Sequence, residues 1–185
     1  MNIITCDIPG LLIVEPKVFG DARGFFMEIW NRERYREAGL DWNFVQDNVS
    51  LSRRGTLRGL HFQNPAPQGK LVFVLQGEVF DVAVDIRRSS PTFGRWHGLH
   101  LSGDNKRQFL IPPGFAHGFA VLSETALFAY KCTEFYTPQN ELTLAWNDPD
   151  IGVDWQTASP LLSDKDQRYP RLSQVSRDQL PRYQS

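Results

Sequence analysis

KLVFVLQGEVFDVAVDIR, residues 70–87, is two apolar runs parted by a single glycine. In residues 78–87, Phe80, Val82, Val84 and Ile86 fall on one face and Asp81, Ala83 and Asp85 on the other, the period of two that a strand requires. Residues 70–76 form the preceding run, and the join at Gln76-Gly77 predicts an antiparallel hairpin. Working outward, residues 96–101, 108–111, 117–122 and 125–136 each read as a strand, separated by Gly, Pro, Asn or Ser. Helical signals are few: Asn31 can cap RERYREA with Gly39 as its stop, and Ser163 can cap a short turn through Asp166. There is no β-α-β alternation, no GxGxxG or GxxxxGK, and no internal repeat, so a doubly wound fold is excluded. The pattern predicts an all-β sandwich or jelly-roll antiparallel barrel with a few short peripheral helices.

The 185 residues suit one domain over 1–185, with the barrel core at about 45–136 and a polar C-terminal wrap from about 155. Twenty Lys and Arg against 21 Asp and Glu leave a net charge of −1, so no broad field draws the chain to nucleic acid or an anionic membrane. Any anion must be met by local groups. The start, MNIITCDIPG, has no basic stretch followed by an apolar one, and the longest aliphatic-aromatic run, residues 71–75, is far too short to span a membrane. The expected setting is therefore cytoplasmic, with no membrane or nucleic-acid partner. Cys6 and Cys132 are too few and too dispersed for a disulfide framework or a metal knuckle and read as buried thiols.

Polar groups gather in VQDNVSLSRRGTLRGLHFQ, residues 45–63, where Gln46, Asn48, Arg58, His61 and Gln63 sit among apolar neighbours. Strict alternation puts His61 and Gln63 on one face and Arg58 on the other; if both Arg58 and His61 serve one pocket, Gly59 must mark a bulge that resets the parity. His61 fits a satisfied core histidine as well as a functional one, and Arg58 fits an ion-paired surface arginine. In IPPGFAHGF, residues 111–119, Pro-Pro-Gly launches His117 into a strand, the context of a metal ligand in cupin barrels. The partner such a site needs, an HxH pair, reads here His61-Phe62-Gln63, with an amide in place of the second imidazole, so no metal is expected. Lys70 opens an apolar strand and fits a snorkelling lysine, Tyr130 an amphipathic core tyrosine, and Asp166 the acid of a cap begun by Ser163. His97 and His100 show no partner in the sequence and read as structural.

Taken together these stretches are specific. FGDARGFFMEIW, VQDNVSLSRRGTLRGLHFQ, QGKLVFVLQGEVFDVAVDIRRSSPTFGRW, NKRQFLIPPGFAHGFAVLSE, AYKCTEFYTPQNE, WNDPDIGVDW and LLSDKDQ follow one another as the blocks of the dTDP-4-dehydrorhamnose 3,5-epimerase family do, and the chain resembles that family from end to end. The resemblance implies a metal-free, cofactor-independent cupin jelly roll, a homodimer, acting on a dTDP-linked 4-keto-6-deoxyhexose at C3 and C5. By matching position it implies His61 as base, Asp166 as its orienting carboxylate, Lys70 beside the C4 oxygen and Tyr130 as acid. It also implies substrate-binding roles for Arg23, Glu28, Gln46, Asn48, Arg58, His117, Glu141 and Lys165. Phe62 stands where HYQ is frequent, Cys132 where threonine commonly follows YK, and Phe135 where a second tyrosine is usual; with Phe73, Phe135 bears on how the nucleotide or ring is held.

These residue types suit the reaction so implied. A C–H beside a ketone is weakly acidic, so its removal needs a positioned base and a group that stabilises the enolate. Histidine, with an ordinary pKa of about 6.5, is often enough neutral to act, and a carboxylate on its second nitrogen fixes the tautomer. A lysine cation stabilises the enolate, a phenol can return a proton from the opposite face, and arginines offer bidentate bonds to a diphosphate. Three other readings compete: an epimerase of one carbon only, a metal-dependent cupin enzyme, and a non-catalytic sugar-binding barrel.

Overall fold

The structure, a computed structural model, describes residues 1–183. Two antiparallel sheets face each other. The first has six strands in the order β1 (Asn2–Thr5), β2 (Leu12–Glu15), β10 (Gln108–Ile111), β7 (Lys70–Gln76), β12 (Thr125–Cys132) and β5 (Gln46–Arg53). The second has five, in the order β13 (Glu141–Thr143), β6 (Leu57–Gln63), β11 (Phe115–Val121), β8 (Glu78–Asp85) and β9 (Trp96–Ser102). Between them Val72, Val74, Phe109 and Phe128 of the first sheet meet Ala83, Leu99, Phe115 and Phe119 of the second in one buried cluster. This is the antiparallel jelly-roll expected, although the six-stranded sheet recruits β1 and β2 from well before residue 45.

The expected hairpin over residues 70–87 does not form. β7 pairs with β10 and β12, whereas β8 pairs with β11 and β9, so the chain changes sheet at Gly77. Gly77 has φ +82°, and a Cβ there would collide with the carbonyl of Thr125. The reason lies in burial. β8 alternates as read, but Val79 and Ala83 face the core between the sheets while Phe80, Val82, Val84 and Ile86 lie under Leu144, Ile151, Trp155, Leu172 and Leu180. A strand covered on both faces sits inside its sheet and needs a partner on each edge, which one hairpin neighbour does not supply.

Strand ends follow local hydrogen bonding. β8 stops at Asp85 rather than Arg87 because the Asp85 carboxylate accepts from the Arg87 backbone at 3.0 Å, the Arg87 guanidinium at 2.9 and 2.7 Å, and the hydroxyls of Ser90 and Thr92 at 2.6 Å each. Burial alone would push Asp85 up, but these donors outweigh it and hold the carboxyl below its ordinary range. β11 begins at Phe115, two residues before the expected start, and β12 ends at Cys132, four before the expected end. Helix α1 (Arg32–Glu37) forms as read, with Asn31 accepting from the Arg34 backbone and Gly39 at φ +88° after it. The partners of His97 and His100 come from distant sequence: Asp7 Oδ1 and Glu78 Oε1, each at 2.7 Å. The hairpin β3 (Val18–Asp21)–β4 (Gly24–Met27) stands apart from both sheets and exposes Phe19, Phe25 and Phe26. Among the described residues no helix is long and apolar enough to cross a membrane.

The Asp85 cluster generates a stability prediction. Asp85→Asn leaves the buried Arg87 cation without its counter-charge and should destabilise the fold by about 3–5 kcal/mol at neutral pH. Because the folded carboxyl is depressed, that contribution is present above the ordinary carboxylate range and is lost as pH falls through the folded value. Urea unfolding at pH 7 and pH 3 checks it: a difference between variant and wild type that does not shrink at pH 3 contradicts the assignment.

Candidate active site

The site is built around a bulge in β6. His117 pairs with His61 and Phe119 with Arg58, so β6 inserts one residue more than β11 between the two pairs. Gly59 makes this possible, at φ +126°, where a Cβ would lie 2.6 Å from the Gly118 Cα. The extra residue sends Leu60 into the outer core and resets the parity, so that His61 lines the cavity while Arg58 lies close enough to Tyr130 for its charge to act on that phenol. The bulge required at Gly59 is thus present. Arg58 also donates to Ser52 Oγ at 3.1 and 3.0 Å.

His61 Nε2 meets Asp166 Oδ1 at 2.8 Å. A carboxylate only accepts, so Nε2 carries the proton and Nδ1 is left as the basic nitrogen. Asp166 sits in a turn held at both ends. Leu161 exchanges backbone bonds with Gly55 and Leu57 at 2.7 and 3.0 Å, and the Ala145 N–H donates to the Pro170 carbonyl at 2.8 Å. Inside the turn Ser163 Oγ donates to Asp166 Oδ2 at 2.7 Å and accepts from the Asp166 backbone at 3.1 Å, the cap read from LLSDKDQ. Burial pushes the Asp166 carboxyl up, but the bonds from His61 and Ser163 outweigh it and hold it ionised below its ordinary range.

The facing sheet supplies the other wall. Lys70 on β7, Tyr130 and Cys132 on β12, and Gln46 and Asn48 on β5 join His61, Gln63, Tyr136 and Glu141 around a cavity of about 250 Å³. The Lys70 ammonium lies 5.9 Å from the centre of the Tyr130 ring. Burial pulls the Lys70 amine below its ordinary 10.5 and pushes the Tyr130 phenol up. Behind them His117 Nε2 donates to the fully buried Asp81 at 2.9 and 3.0 Å, and burial pulls His117 down, favouring the neutral ring. Lys165 Nζ is 3.5 Å from Glu141 Oε2 at the mouth.

Two expected binding residues are elsewhere. Arg23 pairs with Asp21 at 2.6 Å on the β3–β4 hairpin, and Glu28 accepts from Arg34 at 3.2 Å beside α1; neither lines the cavity. Several residues were missed. The Tyr136 backbone donates to Gln46 Oε1 at 2.8 Å and its hydroxyl to Glu141 at 3.2 Å, which brings an aromatic ring to the mouth. Asp81 had a readable signal, a carboxylate in an otherwise apolar strand. Gln63, where a metal site would need an imidazole, instead donates to Ala66 O at 2.6 Å and accepts from the Thr137 backbone at 2.9 Å. Among the described residues no three His, Cys, Asp or Glu side chains converge to hold a metal ion.

Residues 5–174 match the family model for dTDP-4-dehydrorhamnose 3,5-epimerase. The chain belongs to this family. It is 58% identical to the dTDP-4-dehydrorhamnose 3,5-epimerase of Shigella flexneri over 90% of this chain and 93% of that one, and 57% identical to that of Pseudomonas aeruginosa over 87% and 90%. Its fold superposes with a TM-score of 0.97 and 55% identity on the dTDP-6-deoxy-D-glucose-3,5-epimerase of Legionella pneumophila in complex with dTDP-4-keto-L-rhamnose, covering 100% of this chain and 99% of that chain. The fold of this epimerase family is therefore the antiparallel jelly roll that the resemblance implied.

Lys70 is the cavity group whose titration burial changes in a directly testable way. The ammonium is present below its lowered pKa and is lost as pH rises through it, so in a 13C NMR titration of lysine Cε signals Lys70 should deprotonate at lower pH than the surface lysines. Lys70→Met identifies the signal. A Lys70 resonance that titrates with the surface set contradicts the assignment.

Proposed function

We propose that this chain is a dTDP-4-dehydrorhamnose 3,5-epimerase, converting dTDP-4-dehydro-6-deoxy-D-glucose to dTDP-4-dehydro-L-rhamnose. One observation carries the mechanism: a tautomer-fixed histidine and a half-buried phenol project from opposite sheets into one cavity. Inversion at carbon needs the proton taken from one face and a proton returned to the other, and the two walls provide for both. His61 Nδ1 takes the hydrogen from the carbon beside the ketone, and the Asp166 carboxylate stabilises the imidazolium that forms. The electron pair moves onto the C4 oxygen, where the Lys70 ammonium stabilises the enolate. Tyr130, its phenol pushed up by burial and so protonated at neutral pH, delivers a proton to the opposite face. Exchange with water returns Tyr130 to the phenol and His61 to the neutral ring. C3 and C5 both flank C4, so one lysine serves both inversions once the ring reorients.

Gln46, Asn48 and Glu141 of the cavity lining, with Lys165 beside Glu141 and with Arg58 and His117 close by, would bind the sugar and nucleotide. Arg23 and Glu28 fit this scheme in a homodimer, in which the β3–β4 hairpin of one copy packs on its partner; the exposure of Phe19, Phe25 and Phe26 on that hairpin supports the pairing. A cytoplasmic setting is part of the same proposal.

In D₂O, product trapped by a downstream reductase should carry deuterium at both C3 and C5. Label at C3 alone, with C5 unchanged at long times, would identify a single-carbon epimerase. Tyr130→Phe should still wash solvent deuterium into the substrate while net inversion falls at least tenfold, about 1.4 kcal/mol in barrier; full epimerase activity would make Tyr130 a packing residue. For the dimer, light scattering should give twice the chain mass for wild type and a smaller value for Phe26→Ser, and a monomeric wild type would remove the pairing from the scheme.

A further inference from the structure

The His61–Asp166 bond fixes one point of the imidazole but not its plane, because the ring can still rock about the Nε2 to Oδ1 line. The His61 side chain is 31% exposed, so packing by the barrel does not supply the missing constraint on its own. A second contact is present. The Tyr169 ring meets the His61 ring edge to face, with centroids 5.9 Å apart and planes at 79°. Tyr169 follows the turn that carries Asp166, closed by Arg168 N–H to the Lys165 carbonyl at 3.1 Å, and precedes Pro170, whose carbonyl is tied to Ala145. Proline fixes its own φ and restricts the residue before it to extended backbone, so the chain at Tyr169 is held from both sides.

We infer that Tyr169 is a positioning residue for the base, its ring holding the His61 imidazole in the plane that keeps Nε2 on Asp166 and Nδ1 toward the cavity. This rests on the reading of His61 as the base. Tyr169 is half-buried, and burial together with the charges of Asp166 and Glu141 pushes its phenol up to about 12, so it keeps its proton at neutral pH and does not compete with His61 as a base. It packs on the His61 ring and is not among the residues that line the cavity. Its contribution is the orientation of a neighbouring ring, for which edge-to-face packing is suited.

The test compares Tyr169→Ala with Tyr169→Phe, the second keeping the ring. Loss of alignment in the alanine variant should lower kcat about tenfold or more, while KM and the affinity for dTDP stay within about twofold. Tyr169→Phe should restore kcat. Long-range 1H–15N spectra of the His61 ring give a readout that needs no turnover: wild type and Tyr169→Phe should show one tautomer, protonated at Nε2, and Tyr169→Ala a mixture. An alanine variant with wild-type kcat and a single tautomer overturns the inference, as does a phenylalanine variant no better than alanine, or a loss of kcat matched by equal losses in dTDP binding and melting temperature. Wild-type protein that fails to turn over the substrate but shows the tautomer contrast would sink the epimerase reading and leave the positioning role standing.

Discussion

The arrangement depends on one hydrogen bond, 2.8 Å long, between side chains 105 residues apart. His61 belongs to the barrel wall and Asp166 to the C-terminal wrap, so the bond exists only when both have folded against each other. Three local devices bring it about: the Gly59 bulge turns His61 inward, Ser163 holds the carboxylate from below, and backbone bonds at Leu161 and Pro170 clamp the turn. Each is weak by itself. Together with the Tyr169 ring they restrict a part-buried imidazole to one tautomer, and the base of the proposed mechanism takes its fixed direction from that loss of freedom.

Two aspartates four residues apart on β8 show how one strand serves fold and site together. Asp85 is answered by Arg87, Ser90 and Thr92 and ends the strand; its ionised state is secured by donors from its own loop. Among the described residues Asp81 is answered by His117, and its negative charge also favours the protonated form of Lys70 across the cavity. Burial works against that ammonium, and carboxylates on the floor and mouth work for it. In the proposed mechanism this opposition matters, because an ammonium held by fixed charges in place of water is what stabilising an enolate oxygen requires.

Much of this was legible in the sequence because it was local. The β period of residues 78–86, the Asn31 cap, the Ser163 turn and the parity conflict between Arg58 and His61 all depend on neighbours within a few residues, and all appear in the structure. What was illegible was set by distant sequence. Asp7 and Glu78 as the partners of His97 and His100 are fixed by tertiary packing, as is the placing of β1 and β2 beside β10. Arg23 and Glu28 matched family positions yet lie outside the cavity of their own chain, because a motif fixes the residue type and not its distance from the site. Tyr169 carried no motif at all; its relation to His61 is visible only once the wrap is in place.

The hairpin that fails to form bears on chemistry as well as topology. Had residues 70–87 folded back on themselves, Lys70 and Asp81 would share one sheet, on neighbouring strands. Because Gly77 carries the chain across, Lys70 stands on the wall with Tyr130, and Asp81 on the wall with His117 and His61. The cavity is consequently lined by residues from both sheets, and its two walls differ: a histidine with its carboxylate on one, a phenol and a lysine on the other. In the proposed mechanism a planar enolate held between such walls meets a base on one face and an acid on the other, so the geometry of a sandwich corner becomes the stereochemistry of inversion. Glycine is the residue that makes the corner, since a side chain at position 77 would meet the Thr125 carbonyl of the strand bearing Tyr130. The same contact that sets the path of the chain therefore also fixes which wall Lys70, Tyr130 and His61 occupy.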